Sequence, residues 1–113
     1  MRAVEFTGFA GVRLVADATG DDNAPPILLI HGRGQTRADW VPVAIALEQA
    51  GRQVINLDLR GHGDSEWPAD GRYAFDAFVG DIKAVLAQMP ARPVIVAASL
   101  GAWAAATALG EEG

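Results

Sequence analysis

The chain has 113 residues, 50% of them hydrophobic and 20% charged, with no cysteine and a formal net charge of -5. Such a chain builds one globular core and excludes a disulfide scaffold, a thiolate metal site and a cysteine nucleophile. The acidic balance, without a Lys/Arg cluster, argues against nucleic acid or an anionic membrane surface as a partner. No run approaches the ~18 apolar residues of a membrane helix, and Glu5 precedes any apolar leader, so a cytoplasmic protein is expected.

Val4-Glu5-Phe6-Thr7 alternates in polarity, Gly8 to Gly11 forms a turn, and Val12 to Ala16 resumes the alternation, which predicts an antiparallel hairpin. Thr19 to Asn23 is a polar turn. Pro25-Pro26 then leads into Ile27-Leu28-Leu29-Ile30, a strand apolar on both faces and therefore buried on both. Asp39 is the expected cap of a helix that accepts Pro42 in its first turn, carries Val43, Ala46, Leu47 and Ala50 on its apolar side, and stops at Gly51. Val54 to Leu57 reads as the next strand, followed by a long loop to Arg72. From Phe75 to Met89, Phe75, Phe78, Val79, Ile82, Val85, Leu86 and Met89 recur at helical spacing, leaving Asp76, Asp81 and Lys83 for a solvated face. Val94 to Ala98 is a third two-faced strand. Leu100 to Leu109 has helical propensity and no charge on any face, which predicts full burial. Strands alternating with helices after a leading hairpin give an α/β fold: a mostly parallel sheet with flanking helices.

In such sheets the loops at the carboxyl ends of the parallel strands carry function. Here these are His31-Gly32-Arg33-Gly34, Asp58-Leu59-Arg60-Gly61-His62-Gly63-Asp64-Ser65, and Ser99 with Gly101 behind it. A short side chain on a strand-to-helix turn stands above the sheet with a helix N-terminus aimed at it, so Ser99 is the candidate nucleophile. Simple capping of the last helix is its plainer role. The backbone amides of Arg33 and Leu100 are placed to hold a developing oxyanion, each such donor typically contributing about 3 kcal/mol. Asp58 and Arg60 are expected to pair within their own loop. Trp40, Trp67 and Trp103 are expected in the core, with Trp103, a helical turn beyond Ser99, the one that tempts a pocket role.

These three segments together resemble the α/β-hydrolase fold superfamily over essentially the whole chain. His31-Gly32 resembles its oxyanion loop, Asp58-x-Arg60-Gly61-His62-Gly63-x-Ser65 its D-x-R-G-x-G-x-S loop, and Ala97-Ala98-Ser99-Leu100-Gly101 its G-x-S-x-G elbow, with Ala97 where the first glycine stands. The run is most similar to the haloperoxidase and epoxide-hydrolase-like branch. The resemblance implies an acyl-enzyme on Ser99, a small-molecule ester or related acyl or carbon-carbon substrate, and no metal or organic cofactor. Aspartate in place of Ser99 would have implied epoxide or haloalkane chemistry. It also implies a carboxylate and a histidine base after later strands, beyond Gly113. Residues 1–113 are thus expected to be the amino-terminal part of a single hydrolase domain, inactive alone, with His31 and His62 holding loop geometry. The strand Val94 to Ala98 would then present an open edge, to be completed by a carboxyl-terminal segment or by self-association.

Two other readings stay open. Gly32-x-Gly34 after a buried strand, with Asp58 ending the next, suggests a dinucleotide-binding domain, although Arg37 holds the third glycine position and the helix begins too late to cradle a pyrophosphate. The chain would otherwise be a non-catalytic module that binds a complementing partner.

Overall fold

The computed structural model describes residues 2–69 and 74–112, so the predicted end of the long loop at Arg72 lies outside the described residues. Five strands form one sheet: β1 (Arg2–Thr7), β2 (Arg13–Thr19), β3 (Pro26–Ile30), β4 (Gln53–Leu57) and β5 (Val94–Ala97). Their spatial order is β1-β2-β4-β3-β5. The hairpin β1-β2 is antiparallel and joins β4 antiparallel, whereas β3 runs parallel to β4 on one side and to β5 on the other. The expected mixed sheet with flanking helices is therefore the observed fold.

Among the described residues three α-helices cover it: α1 (Val41–Gln49), α2 (Phe75–Gln88) and α3 (Ser99–Glu112). The period of two sorts each strand between the two faces. Leu28, Ile30, Ile55 and Leu57 pack with Phe78, Ile82 and Val85 of α2 and Ala104, Ala105 and Ala108 of α3, while Ile27, Leu29 and Val54 meet Ala44 and Leu47 of α1. β3 is buried along its whole length because helices lie on both sides of it. The chain leaves β3 for one face and β5 for the other, which opens a crevice between their carboxyl ends.

Several local expectations need correction. Asp39 does not cap α1. A short 3-10 turn, Arg37–Trp40, precedes that helix, and Thr36 caps it: Thr36 Oγ1 accepts from Ala38 N at 3.2 Å, and Thr36 N donates to Asp39 Oδ2 at 2.9 Å. The side of α1 facing the sheet is Ala44 and Leu47, one turn apart, which leaves Val43, Ala46 and Ala50 exposed. α3 is not fully buried. Its small residues Gly101, Ala104, Ala105 and Ala108 face inward, while Trp103 is 74% exposed and Leu109 also faces outward. Trp67 likewise lies on the surface rather than in the core. Among the described residues no helix is long and apolar enough to cross a membrane.

Asp81 departs furthest from its expected place on a solvated face. It is fully buried on α2 and grips Arg60, also fully buried, through Arg60 Nε to Oδ2 at 2.6 Å and Nη2 to Oδ1 at 2.8 Å. Asp81 Oδ1 also accepts from Phe9 N at 2.7 Å, and Arg60 Nη2 donates to the Phe9 carbonyl at 2.9 Å. One ion pair therefore ties the hairpin turn, the loop after β4 and α2 together. Arg60 does not pair with Asp58: its guanidinium binds Asp81 of α2, and Asp58 binds Arg37 instead.

Candidate active site

Ser99 sits where β5 ends and α3 begins, with φ of 53°, in the left-handed region that a residue with a Cβ rarely adopts. A helix-capping serine has extended backbone, so this geometry is that of a tight elbow and not of a cap. The tightness has a steric source in Gly101. A Cβ there would come within 2.6 Å of Ile30 Cγ2 and 2.7 Å of the His31 carbonyl oxygen, so the start of α3 rests directly on the end of β3. Ser99 itself is exposed, and its hydroxyl makes no hydrogen bond to a described residue.

The loop after β3 closes over this elbow. A Cβ on Gly32 would lie 3.1 Å from Ser99 Cβ, so a side chain at position 32 would crowd the serine. The Gly32 N–H donates to Gln35 Oε1 at 2.8 Å and the Gly34 N–H to His62 Nε2 at 3.1 Å. The Arg33 N–H between them has no acceptor among the described residues. Leu100 lies in the first turn of α3, where amides lack an intrahelical acceptor.

Both histidines are fully engaged. His31 is buried; its Nε2 accepts from Leu59 N at 3.0 Å, so Nδ1 carries the proton and donates to the Gly32 carbonyl at 2.7 Å. Burial pushes His31 below the ordinary imidazole range; the Gly32 carbonyl opposes that shift, and the neighbouring His62 ring adds to it. His62 repeats the pattern, donating from Nδ1 to the Arg60 carbonyl at 2.8 Å while Nε2 accepts from Gly34. The two rings lie 4.9 Å apart between centroids. They fasten the loop after β3 to the loop after β4.

That second loop is a hydrogen-bonded cage. Asp58 is buried and accepts from Arg37 N at 2.7 Å, from Asp64 N at 2.9 Å and from the Arg37 guanidinium, which also meets Asp17 at 2.9 Å and Asp64 at 3.0 Å. Burial works against the charge on Arg37, but its hydrogen bonds to Asp17 and Asp64 and the charge of Asp58 outweigh it and hold its pKa above the usual range. Gly61 and Gly63 have positive φ, and a Cβ on Gly63 would collide with the Asp58 carboxylate. Ser65 Oγ donates to the Asp58 carbonyl at 2.6 Å and accepts from Val15 N at 2.8 Å. Ser65 is thereby buried and occupied, unlike Ser99.

The structure thus brings His31, Gly32, Arg33, His62 and Ser99 to one end of the sheet and sets Asp58, Arg60, Gly61 and Gly63 behind them as support. Sequence reasoning missed Arg37 and Gln35. It also missed Asp81, although the spacing Phe78, Asp81, Ile82, Val85 sets that acid inside the apolar stripe of α2. The dinucleotide reading fails on this geometry, since the amides of Gly32 and Gly34 are already taken by side chains and do not face an open phosphate cradle.

Residues 25–112 match the alpha/beta hydrolase fold family. The chain belongs to it. Esterase Rv0045c of Mycobacterium tuberculosis is 34% identical over 80 residues, covering 70% of this chain and 26% of that protein. Non-heme chloroperoxidase CPO-A1 of Kitasatospora aureofaciens is 36% identical over 89 residues, covering 78% of this chain and 32% of its own length. Among solved structures, epoxide hydrolase VrEH1 from Vigna radiata superposes with a TM-score of 0.83 at 27% identity, over 95% of this chain and 34% of that one. The chain therefore spans about a third or less of these relatives.

Proposed function

We propose that the chain is the amino-terminal, nucleophile-bearing part of one α/β-hydrolase domain, that of a serine hydrolase that cleaves a small-molecule ester, or a related acyl or carbon-carbon bond, without metal or organic cofactor. The observation that carries this reading is Ser99: an exposed hydroxyl with no partner among the described residues, on a left-handed elbow, with Gly32 packed against it. Kinship with an esterase supports it, and serine rather than aspartate at the elbow favours ester over epoxide chemistry.

Ser99 Oγ attacks the substrate carbonyl, and its proton passes to a base as the C–O bond forms. The N–H groups of Arg33 and Leu100 hold the resulting oxyanion. Collapse expels the alcohol, which takes the proton back, and water then releases the acid from Ser99. Neither histidine of the chain serves as that base, since both ring nitrogens of each are bound to backbone. The base and its orienting carboxylate come from a segment that completes the domain, and the 113 residues alone turn over below about a thousandth of the complete rate. A fluorophosphonate probe applied to the complete domain should label Ser99. Labelling that persists in Ser99→Ala overturns the assignment.

The open edge of β5 supports a second reading, a module that only binds a complementing segment or another copy. Val94 and Val96 are 57% and 37% exposed there. Phosphonate labelling separates the two readings, because a binding module leaves Ser99 unreactive.

A further inference from the structure

Gln35 makes two bonds to Gly32. Its backbone N–H donates to the Gly32 carbonyl at 3.1 Å, and its side-chain Oε1 accepts the Gly32 N–H at 2.8 Å. The first bond is that of an ordinary turn. The second brings a carboxamide to the elbow, because the point where a Gly32 Cβ would stand is 3.0 Å from Gln35 Oε1 and 3.1 Å from Ser99 Cβ. The amide's orientation follows from chemistry: the Gly32 N–H can only donate, so Oε1 must be the atom facing it. Nε2 is left with two N–H groups that meet no acceptor among the described residues, on a side chain exposed at the mouth of the crevice.

We propose that Gln35 is a catalytic residue of this site, donating from Nε2 to the substrate's acyl oxygen as negative charge develops on it, while Oε1 holds the Gly32 amide. The proposal rests on the reading of Ser99 as nucleophile. It adds a side-chain donor to the two backbone donors, and it makes the loop His31 to Gln35 self-supporting. With its own amide satisfied, Gly32 cannot turn toward the substrate, and the Arg33 N–H is the backbone donor that remains.

Gln35→Glu tests it in the complete domain. Glutamate keeps the size and the acceptor for Gly32 but replaces the donor with a carboxylate oxygen that repels an oxyanion. Removing one such donor costs about 100-fold, so kcat on a neutral ester should fall by about that factor with KM changed less than about threefold, and phosphonate labelling of Ser99 should slow in parallel. The labelling rate of Gln35→Glu relative to the unmodified protein should recover as the pH is lowered from about 8 to about 5, because protonating the introduced carboxyl restores a donor. A residue that merely ties the loop predicts a near-normal rate for Gln35→Glu and a pH-independent ratio, and either result overturns the proposal. Gln35→Ala, at an exposed position, should lose at least about tenfold, and a normal rate there also overturns it. Failure of the unmodified domain to label at Ser99 defeats the nucleophile reading itself. Normal labelling there with an equally reactive Gln35→Glu defeats only the role of Gln35.

Discussion

Arg60 and Asp81, 21 residues apart in sequence and both without solvent exposure, face each other through two hydrogen-bonded contacts of 2.6 and 2.8 Å. Both also bind the backbone of Phe9, whose ring lies 5.9 Å from the guanidinium carbon. Two buried charges hold each other's desolvation in check only as a pair. Removing one partner strands the other, which costs about 3–5 kcal/mol. Asp81→Ala or Arg60→Ala should therefore lower the urea midpoint severely, and the double variant Arg60→Met/Asp81→Leu should recover much of the loss. A double variant as unstable as either single change would show that the charges are not the cause.

Ser99 holds a backbone conformation that costs an L-residue about 1–2 kcal/mol and glycine almost nothing. Ser99→Gly should raise stability by about 1 kcal/mol in chemical denaturation while abolishing phosphonate labelling. Ser99→Ala, which keeps the Cβ, should lose labelling without that gain. Equal stabilities for the glycine and alanine variants would remove the argument from strain.

His31 accepts the Leu59 N–H at Nε2, so a second proton breaks a buried hydrogen bond as well as charging a buried ring. Its folded-state pKa lies below the ordinary value of 6.5, and the unfolded chain therefore takes up the proton first. Stability should be full above pH 6.5 and decline below it, by at most ~1.4 kcal/mol per pH unit from this group. Urea midpoints at several pH values should show a shallower decline just below pH 6.5 in His31→Gln than in the unmodified chain. Identical slopes would assign the effect elsewhere.

Gly101 and Gly110 lie on the same helix in opposite circumstances. A Cβ at position 101 meets Ile30 and the His31 carbonyl, whereas at position 110 it meets nothing within 4 Å. Gly101→Ala should destabilise by more than about 1 kcal/mol and blunt Ser99 reactivity by lifting α3 off β3. Gly110→Ala should be neutral or stabilise by up to about 1 kcal/mol through helix propensity. Thermal unfolding of the two variants side by side distinguishes them.

The hairpin and the amphipathic α2 were legible in the sequence because each is written in a local period of two or 3.6 residues, and β3 because its apolar run matches burial on both faces; β5, read as equally two-faced, leaves Val94 and Val96 exposed. Ser99 and the two loops around it were legible because strand-to-helix turns of small residues are also local. The partners of Asp58, Arg60 and Asp81 were not, since an ion pair across 21 residues leaves no periodic trace and a charge on a helix is ordinarily solvated. The apolar side of α1 was misjudged for a related reason. Its residues are apolar nearly all round, so their spacing could not say that Ala44 and Leu47, rather than Val43 and Ala46, would meet the sheet.

Val94 and Val96 register with Ile27 and Leu29, which places them on the face that α1 covers only in part, beside an edge of β5 that no strand pairs among the described residues. Edges of this composition, with no charge to discourage pairing, associate. The isolated 113 residues should sediment as oligomers or aggregates at tens of micromolar, and Val96→Lys should shift them toward monomer. A stable, cooperatively unfolding monomer of the unmodified chain would refute this.

The contact between Phe9 and Asp81 spans 72 residues, and it fixes when the first turn of the chain can be sealed. At a synthesis rate of 5–20 residues per second, roughly 4–14 s separate the synthesis of Phe9 from that of the carboxylate that binds it. During that interval the turn lacks its carboxylate acceptor and the face of the sheet that holds Leu28 and Ile30 lacks α2. The first turn of the chain is therefore among the last parts of the hairpin to be fixed, since it waits on a residue of α2.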